Sequence, residues 1–157
     1  MRKLVVMAAL MIGTSALVMA GGPRPTAPAQ GQELKHERAC SMANVAGAYG
    51  VYGGGTILPG NQVGAPPGPY ATIGRAELDG HGAFIITSQT GSFNGAIFQN
   101  ITAQGVYTVN ADCTGTLAIG SDTADIVFAD GGNEFYATDT TSGIVTTFVF
   151  KRITPNK

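Results

Sequence analysis

Short β-prone runs separated by turns rich in glycine, aspartate and asparagine recur along most of the chain. Asp79-Gly80-His81-Gly82 is typical of a tight turn, because glycine readily adopts the positive φ that such turns need. No stretch carries apolar residues at helical spacing over three turns, so helices are expected to be minor. The pattern predicts eight strands: Ala46–Tyr52, Tyr70–Leu78, Ala83–Thr90, Ala96–Val109, Cys113–Ile119, Asp125–Ala129, Glu134–Asp139 and Ile144–Ile153.

Eight consecutive strands joined mostly by hairpin-length connections predict an all-β, antiparallel, up-and-down barrel. Closing such a meander removes the exposed edges that invite aggregation. A β-sandwich is the main alternative for short strands at this spacing. Alternation supports half-buried strands: in the last run Ile144, Thr146, Phe148 and Phe150 share one face, and the intervening residues share the other.

The first 20 residues have the pattern of a cleaved secretory signal peptide. Arg2 and Lys3 precede an apolar run from Leu4 to Val18, and small or modest side chains follow at Val18-Met19-Ala20. The alternative is a membrane anchor, but the run is shorter than the roughly 20 residues that a spanning helix needs. We therefore expect a protein secreted to the periplasm or the medium, with no stable membrane insertion after cleavage.

Residues 21–39 are rich in proline and glycine at their start and are expected to form a flexible arm. Residues 40–157 then form a single domain, long enough to bury a core. Charged residues make up only 12% of the whole chain. Residues 40–157 contain four basic and eight acidic side chains, a net charge of −4. Without a basic cluster to displace counterions from phosphates, a nucleic-acid partner is excluded.

Cys40 and Cys113 are the two cysteines of the chain. In an exported protein two thiols usually pair, because the compartment is oxidising. The loop closed in this way would stabilise the fold by about 4 kcal/mol in the chain-entropy model. Two separate buried thiols are the alternative. A zinc site needs more ligands than one spaced pair of cysteines, so no metal is expected.

One segment resembles a known group of proteins. The run from Gly105 to Thr116, GVYTVNADCTGT, is similar to a motif of secreted, mostly bacterial proteins of unknown role. Gly47-Ala48-Tyr49-Gly50, Asp79-Gly80-His81-Gly82 and Asp130-Gly131-Gly132 agree with this resemblance, which covers about residues 40–153. The group resembles in outline the allene oxide cyclase-like, lipocalin-like barrels. The resemblance implies an eight-stranded barrel whose interior holds a small apolar molecule, and it carries no reaction over.

The DCTGT segment also has an interpretation that needs no function. Asp112 and Thr114 flank Cys113 where the chain reverses, and their short polar side chains can bind turn amides. Gly105 and Gly115 permit close backbone approach or a bulge.

The candidate catalytic residues are Arg75, Glu77 and Glu134. Arg75 and Glu77 share a strand face, so Glu77 facing the interior would act as a general base while Arg75 orients an oxygen. Glu134 shares a face with Tyr136 in the same way. The alternative is a surface ion pair worth less than about 1 kcal/mol. No cofactor motif is present: the three glycines after Tyr52 lack the helix and lysine of a phosphate-binding loop.

The candidate ligand-binding residues are Tyr49, Tyr70, Tyr107 and Tyr136, since a ring with a polar tip suits an amphipathic ligand. Three functions remain open. The first is a secreted, non-catalytic barrel that binds a small apolar or amphipathic molecule. The second is a cofactor-independent cyclase or isomerase that acts on an apolar substrate in the same interior. The third is a structural or interaction protein of the cell envelope, expected to be a homo-oligomer or to expose a broad apolar patch.

Overall fold

A computed structural model describes residues 39–153. The predicted signal peptide and almost all of the predicted arm lie outside the described residues. Within the described part of the chain, no helix is long and apolar enough to cross a membrane.

The structure is a closed antiparallel barrel in which each strand pairs with the next and β8 pairs with β1. The predicted fold class is therefore confirmed, and the sandwich alternative is wrong. A short helix precedes the barrel and a 3₁₀ turn, Asp130–Gly132, joins β6 to β7. The elements are α1 Met42–Val45, β1 Gly47–Ile57, β2 Gly68–Leu78, β3 Ala83–Phe93, β4 Ala96–Tyr107, β5 Thr114–Ile119, β6 Asp122–Ala129, β7 Glu134–Asp139 and β8 Ile144–Arg152.

Strand β1 is longer than the sequence predicts. The predicted first strand ends at Tyr52, whereas in the structure Gly53–Gly55 continue the ladder to both β2 and β8. A Cβ on Gly53 would lie 2.4 Å from Cδ1 of Phe148, and one on Gly55 would lie 2.0 Å from the carbonyl oxygen of Val145. The glycines therefore let β8 approach β1 closely, and they leave room for the inward ring of Phe148.

Aromatic rings fill the part of the barrel next to helix α1. The rings of Phe135 and Phe150 stack with centroids 4.1 Å apart, and Phe128 and Tyr49 contact Phe135 from two sides at 5.1 Å. All four residues are buried. Burying one such side chain stabilises a fold by about 1.5–3 kcal/mol, so this cluster anchors β1, β6, β7 and β8 to one another.

Helix α1 closes one end of the barrel. Ser41 caps the helix, its hydroxyl accepting a hydrogen bond from the Asn44 amide. Val45 at the end of the helix is completely buried and belongs to the core. The turns between β2 and β3, β4 and β5, and β6 and β7 lie at this same end, because the strands alternate in direction.

The predicted Cys40–Cys113 disulfide is present. It ties the segment before α1 to the turn before β5. In that turn Asp112 Oδ1 accepts hydrogen bonds from the Thr114 amide at 3.1 Å and the Thr114 hydroxyl at 2.7 Å. A Cβ on Gly115 would lie 2.1 Å from the Thr108 carbonyl oxygen. The DCTGT segment thus has the turn-forming role expected of it, with Gly115 at a close backbone approach.

Candidate functional site

The barrel encloses a cavity of about 220 Å³ that is partly open to solvent. Its walls are mostly apolar. The inner part is formed by Val51, Phe84, Ile86, Ala103, Leu117, Ile119, Ala124, Ala137, Phe148 and Phe150, and polar groups come from Tyr70, Gln89, Asp122, Thr123 and Asp139. Phe84, Ile86, Phe148 and Phe150 therefore border the interior without sealing it.

The polar lining residues lie toward the end of the barrel opposite α1. The loop between β1 and β2 borders this end and is fastened to the turn between β7 and β8. The Leu58 amide donates to the Gly143 carbonyl at 2.8 Å, and the Gln62 amide donates to the Ser142 carbonyl at 3.2 Å. The helix thus closes one end of the barrel, and the polar groups of the cavity lie near the other end.

Two aspartates enter the cavity from neighbouring strands. Asp122 begins β6 and Asp139 ends β7, and in the ladder Asp139 lies opposite Ala124. Because side chains alternate along a strand, Asp122, Ala124 and Asp139 share the inner face. The two aspartates are diagonal neighbours across the strand pair, a relationship that places Cβ atoms within roughly 7–8 Å.

Threonine hydroxyls fix the strand ends that carry these aspartates. The Thr123 amide donates to the Thr141 hydroxyl at 2.8 Å, and the Thr140 amide donates to the Thr123 carbonyl at 2.8 Å. The buried Thr146 hydroxyl donates to Oδ2 of Asp139. The site is therefore built on strands and on a hydrogen-bonded turn rather than on a free loop.

Burial, together with the smaller effect of the neighbouring carboxyl of Asp122, raises the pKa of Asp139 to about 7. Oδ1 of Asp122 is shielded from solvent and accepts no hydrogen bond from the described residues. The two acids share a largely apolar cavity. Among residues 39–153, no lysine, arginine or histidine lines the cavity to offset them.

A second cluster of polar side chains lies on β2 and β3 at the same end of the barrel as the aspartates. Nε2 of Gln89 donates to the Thr72 hydroxyl at 2.6 Å and lies 3.2 Å from the Tyr70 hydroxyl. The Thr72 hydroxyl donates to the Thr90 carbonyl at 3.0 Å. Burial raises the pKa of Tyr70, so its hydroxyl stays protonated and can donate a hydrogen bond.

The predicted catalytic residues lie outside this cavity. Arg75 Nη2 binds Glu77 Oε1 at 2.8 Å, and both side chains are roughly half exposed on the outer face of β2. Glu134 also faces outward: its Oε1 accepts from the Tyr136 hydroxyl at 2.7 Å, and Lys151 Nζ lies 3.7 Å from its Oε2. Arg75 and Glu77 therefore form a surface ion pair, which is the alternative that the sequence allows for them.

The four candidate tyrosines are distributed over three places. Tyr70 lines the cavity. Tyr49 and Tyr107 are buried at the closed end, where the Tyr107 hydroxyl accepts from the Gly80 amide at 3.1 Å. Tyr136 is exposed on the outer surface. Tyr70 is thus the one member of this set that can touch a molecule in the cavity.

An apolar row crosses the outside of the barrel on five adjacent strands. Each member lies directly opposite the next in the ladders: Val127, Tyr136, Val149, Tyr52 and Ile73. Tyr52 is 55% exposed and Ile73 is 66% exposed. This outer row is, among the described residues, another surface whose composition suits binding.

The sequence prediction did not include the aspartates in a site, because it starts the sixth strand at Asp125, after Asp122, and places Asp139 only at the end of the seventh strand. A signal was present in the alternation. Asp139 follows Phe135 and Ala137 at a period of two, and Asp122 precedes Ala124, Ile126 and Phe128 at the same period. An acid that alternates in step with apolar residues lies on the same face of the strand as they do. It is therefore buried when that face points into the barrel.

The fold and the cavity define a small, closed antiparallel barrel with an acidic, largely apolar interior. No protein-family model, no curated protein and no solved structure matches the chain. The function is therefore argued from the cavity itself.

Proposed function

We propose that this protein is an exported, non-catalytic barrel that binds a small amphipathic molecule in its cavity. The observation that carries the proposal is the apolar cavity of about 220 Å³ with a few polar groups gathered near one end. Pockets that bind small molecules have this composition: mostly apolar walls with a small number of polar groups that fix orientation.

The volume limits the size of the ligand. Sites for drug-sized molecules are typically about 300–1,000 Å³. A cavity of about 220 Å³ suits a single ring with a short chain. The phenyl rings of Phe84, Phe148 and Phe150 would contact the apolar part, and the polar part would face Tyr70 and the two aspartates.

Export is part of the proposal. The Cys40–Cys113 disulfide is compatible with a periplasmic or extracellular protein, since such bonds persist in oxidising compartments. The pattern of residues 1–20 supports the same location.

The test is a titration of the exported, disulfide-bonded chain with 2-phenylethanol, followed by methyl NMR. We expect the methyl signals of Ile86, Leu117 and Ile119, which line the cavity, to shift and saturate together. The methyls of Ile73 and Ile97, exposed on the outside, serve as the internal control. Shifts confined to the outer methyls, or no shifts at millimolar probe, would refute the proposal.

A second candidate function, an interaction protein, is favoured by the outer row. A second copy of the chain that placed the same row against Tyr52 and Tyr136 would bury apolar surface that is now exposed. Sedimentation equilibrium tests it: a dimer that Tyr52→Lys dissociates supports this function, and a monomer at high concentration removes it.

An isomerase in this barrel would have to use other acids than the ones that the sequence singled out. Glu77 and Glu134 face outward, whereas Asp122 and Asp139 enter the cavity. Turnover of an apolar substrate that Asp139→Asn abolishes would replace the binding proposal with this one.

A further inference from the structure

The carboxyl groups of Asp122 and Asp139 face the cavity without an opposite charge from the lining residues of the described chain. The described cations are engaged elsewhere. Arg75 pairs with Glu77 on the outer face, and Lys151 lies beside Glu134. The guanidinium of Arg152 is held at the closed end by backbone carbonyls.

The two carboxyl groups keep unused capacity to accept hydrogen bonds. A carboxylate offers about four lone-pair positions. Asp139 accepts from Thr146, while Oδ1 of Asp122 accepts from no described residue although it is shielded from solvent. The other carboxyl oxygens of the two aspartates keep lone pairs that a donor brought by a ligand can use.

A metal ion is a poorer fit than an organic cation. Among residues 39–153, no group of three or more histidine, cysteine, aspartate or glutamate side chains could hold a metal ion. The aromatic and aliphatic walls next to the aspartates suit a body of carbon atoms, which a bare ion lacks.

We propose that the molecule bound in the barrel is a small primary amine, whose ammonium group lies between Asp122 and Asp139 and whose apolar body fills the cavity. The inference rests on the proposed function, because it names the ligand class of the same site. The ammonium supplies three donors and one positive charge, which answers both the unused acceptors and the repulsion between the two acids. An anion of the same shape is rejected by those acids.

The test compares three probes with the same ring: 2-phenylethylamine, 2-phenylethanol and 3-phenylpropionate. Each is titrated calorimetrically into the exported, disulfide-bonded chain at pH 8. We expect the amine to bind at least about tenfold more tightly than the alcohol, and the carboxylate not to bind, since charge complementarity sets the preference. Asp122→Asn and Asp139→Asn should each reduce the preference for the amine to less than about threefold.

Asp125→Asn is the matched control, because Asp125 lies on β6 with an exposed side chain and outside the cavity lining. It should leave the preference for the amine unchanged. If Asp139→Asn fails to fold, Asp122→Asn and the probe comparison on the unaltered chain still decide the matter.

The outcomes separate the two proposals. Equal binding of the alcohol and the amine in the cavity would overturn the amine assignment and leave the binding function standing. Absence of binding by either probe would overturn both. A preference for the amine that survives both aspartate substitutions would place the charge recognition elsewhere and overturn the assignment.

Discussion

Arg152 Nη2 donates a hydrogen bond to the Tyr49 hydroxyl at 2.8 Å, while its guanidinium carbon lies 4.9 Å from the centroid of the same ring. The Tyr49 hydroxyl lies 2.6 Å from the carbonyl oxygens of Val45 and Gly132, to either of which it can donate. Burial raises the pKa of Tyr49 to about 12, so the donor is retained at all ordinary pH values. This contact joins α1, β1, the 3₁₀ turn and β8, and it holds the closed end of the barrel.

Tyr49→Phe tests that role. The change removes a buried hydroxyl that donates to the Val45 or Gly132 carbonyl and accepts from Arg152 Nη2, so we expect a loss of about 1–3 kcal/mol in the free energy of unfolding. Urea denaturation measures it. Tyr136→Phe is the control, since that hydroxyl bonds to Glu134 at the surface and should cost less than about 0.5 kcal/mol. Equal losses in the two variants would contradict the account of the closed end.

The disulfide is expected to stabilise the barrel strongly. It closes a loop of 73 residues, and the double variant Cys40→Ser, Cys113→Ser should lose about 4 kcal/mol of stability in the chain-entropy model. The measurement is the urea midpoint of the variant against that of the oxidised chain. Reduced wild-type protein should match the variant. An unchanged midpoint after reduction would show that the core alone holds the fold.

Asp139 should make the barrel less stable as pH rises. Its folded pKa is raised from 3.8 to about 7, so between these values the folded state holds a proton that the unfolded state has lost. The stabilisation that the protonated Asp139 gives to the folded state is fully present below about pH 4, falls as pH rises from about 4 to 7, and is lost above about pH 7. After allowance for solvent screening at a partly open site, we expect about 1–2 kcal/mol.

Asp139→Asn isolates this contribution, because asparagine keeps the shape and an acceptor for the Thr146 hydroxyl. Thermal melts of the variant and the wild type at pH 5 and pH 8 give the comparison. The variant should gain stability relative to the wild type on going to pH 8. A difference that is independent of pH would mean that the Asp139 carboxyl has an ordinary pKa.

Filling the cavity should abolish binding and spare the fold. Ala103 lines the cavity and is only half-buried, so Ala103→Leu places three extra carbons in the space that the ligand needs. We expect the affinity for 2-phenylethylamine to fall at least about tenfold with a small change in melting temperature. Thr102→Leu places a leucine at the exposed neighbouring position and should leave binding intact. An unaffected affinity in Ala103→Leu would place the ligand outside the cavity.

Local patterns in the sequence predict most of the fold. Asp79-Gly80-His81-Gly82 turns the chain between β2 and β3, and the alternation from Ile144 to Lys151 separates the residues of the two faces of β8. The predicted first strand stops before Gly53–Gly55 because glycine weakens a strand locally. In the structure these positions must be glycine, because β8 approaches β1 too closely for a side chain.

The site was harder to predict because it depends on which face of each strand is inside. In the sequence all four acids, Glu77, Glu134, Asp122 and Asp139, lie in or near a predicted strand. Closure of the barrel turns the first pair outward and the second pair inward. That choice depends on register across the whole ladder, and a shift of one residue would reverse it.

The most direct test of the central claim is a crystal structure of the disulfide-bonded chain soaked with 2-phenylethylamine. The account predicts the ring between Phe84 and Phe148 inside the barrel, with the ammonium within hydrogen-bond distance of Asp122 and Asp139. An empty cavity at saturating probe, or a probe seated only on the outer row, would contradict it.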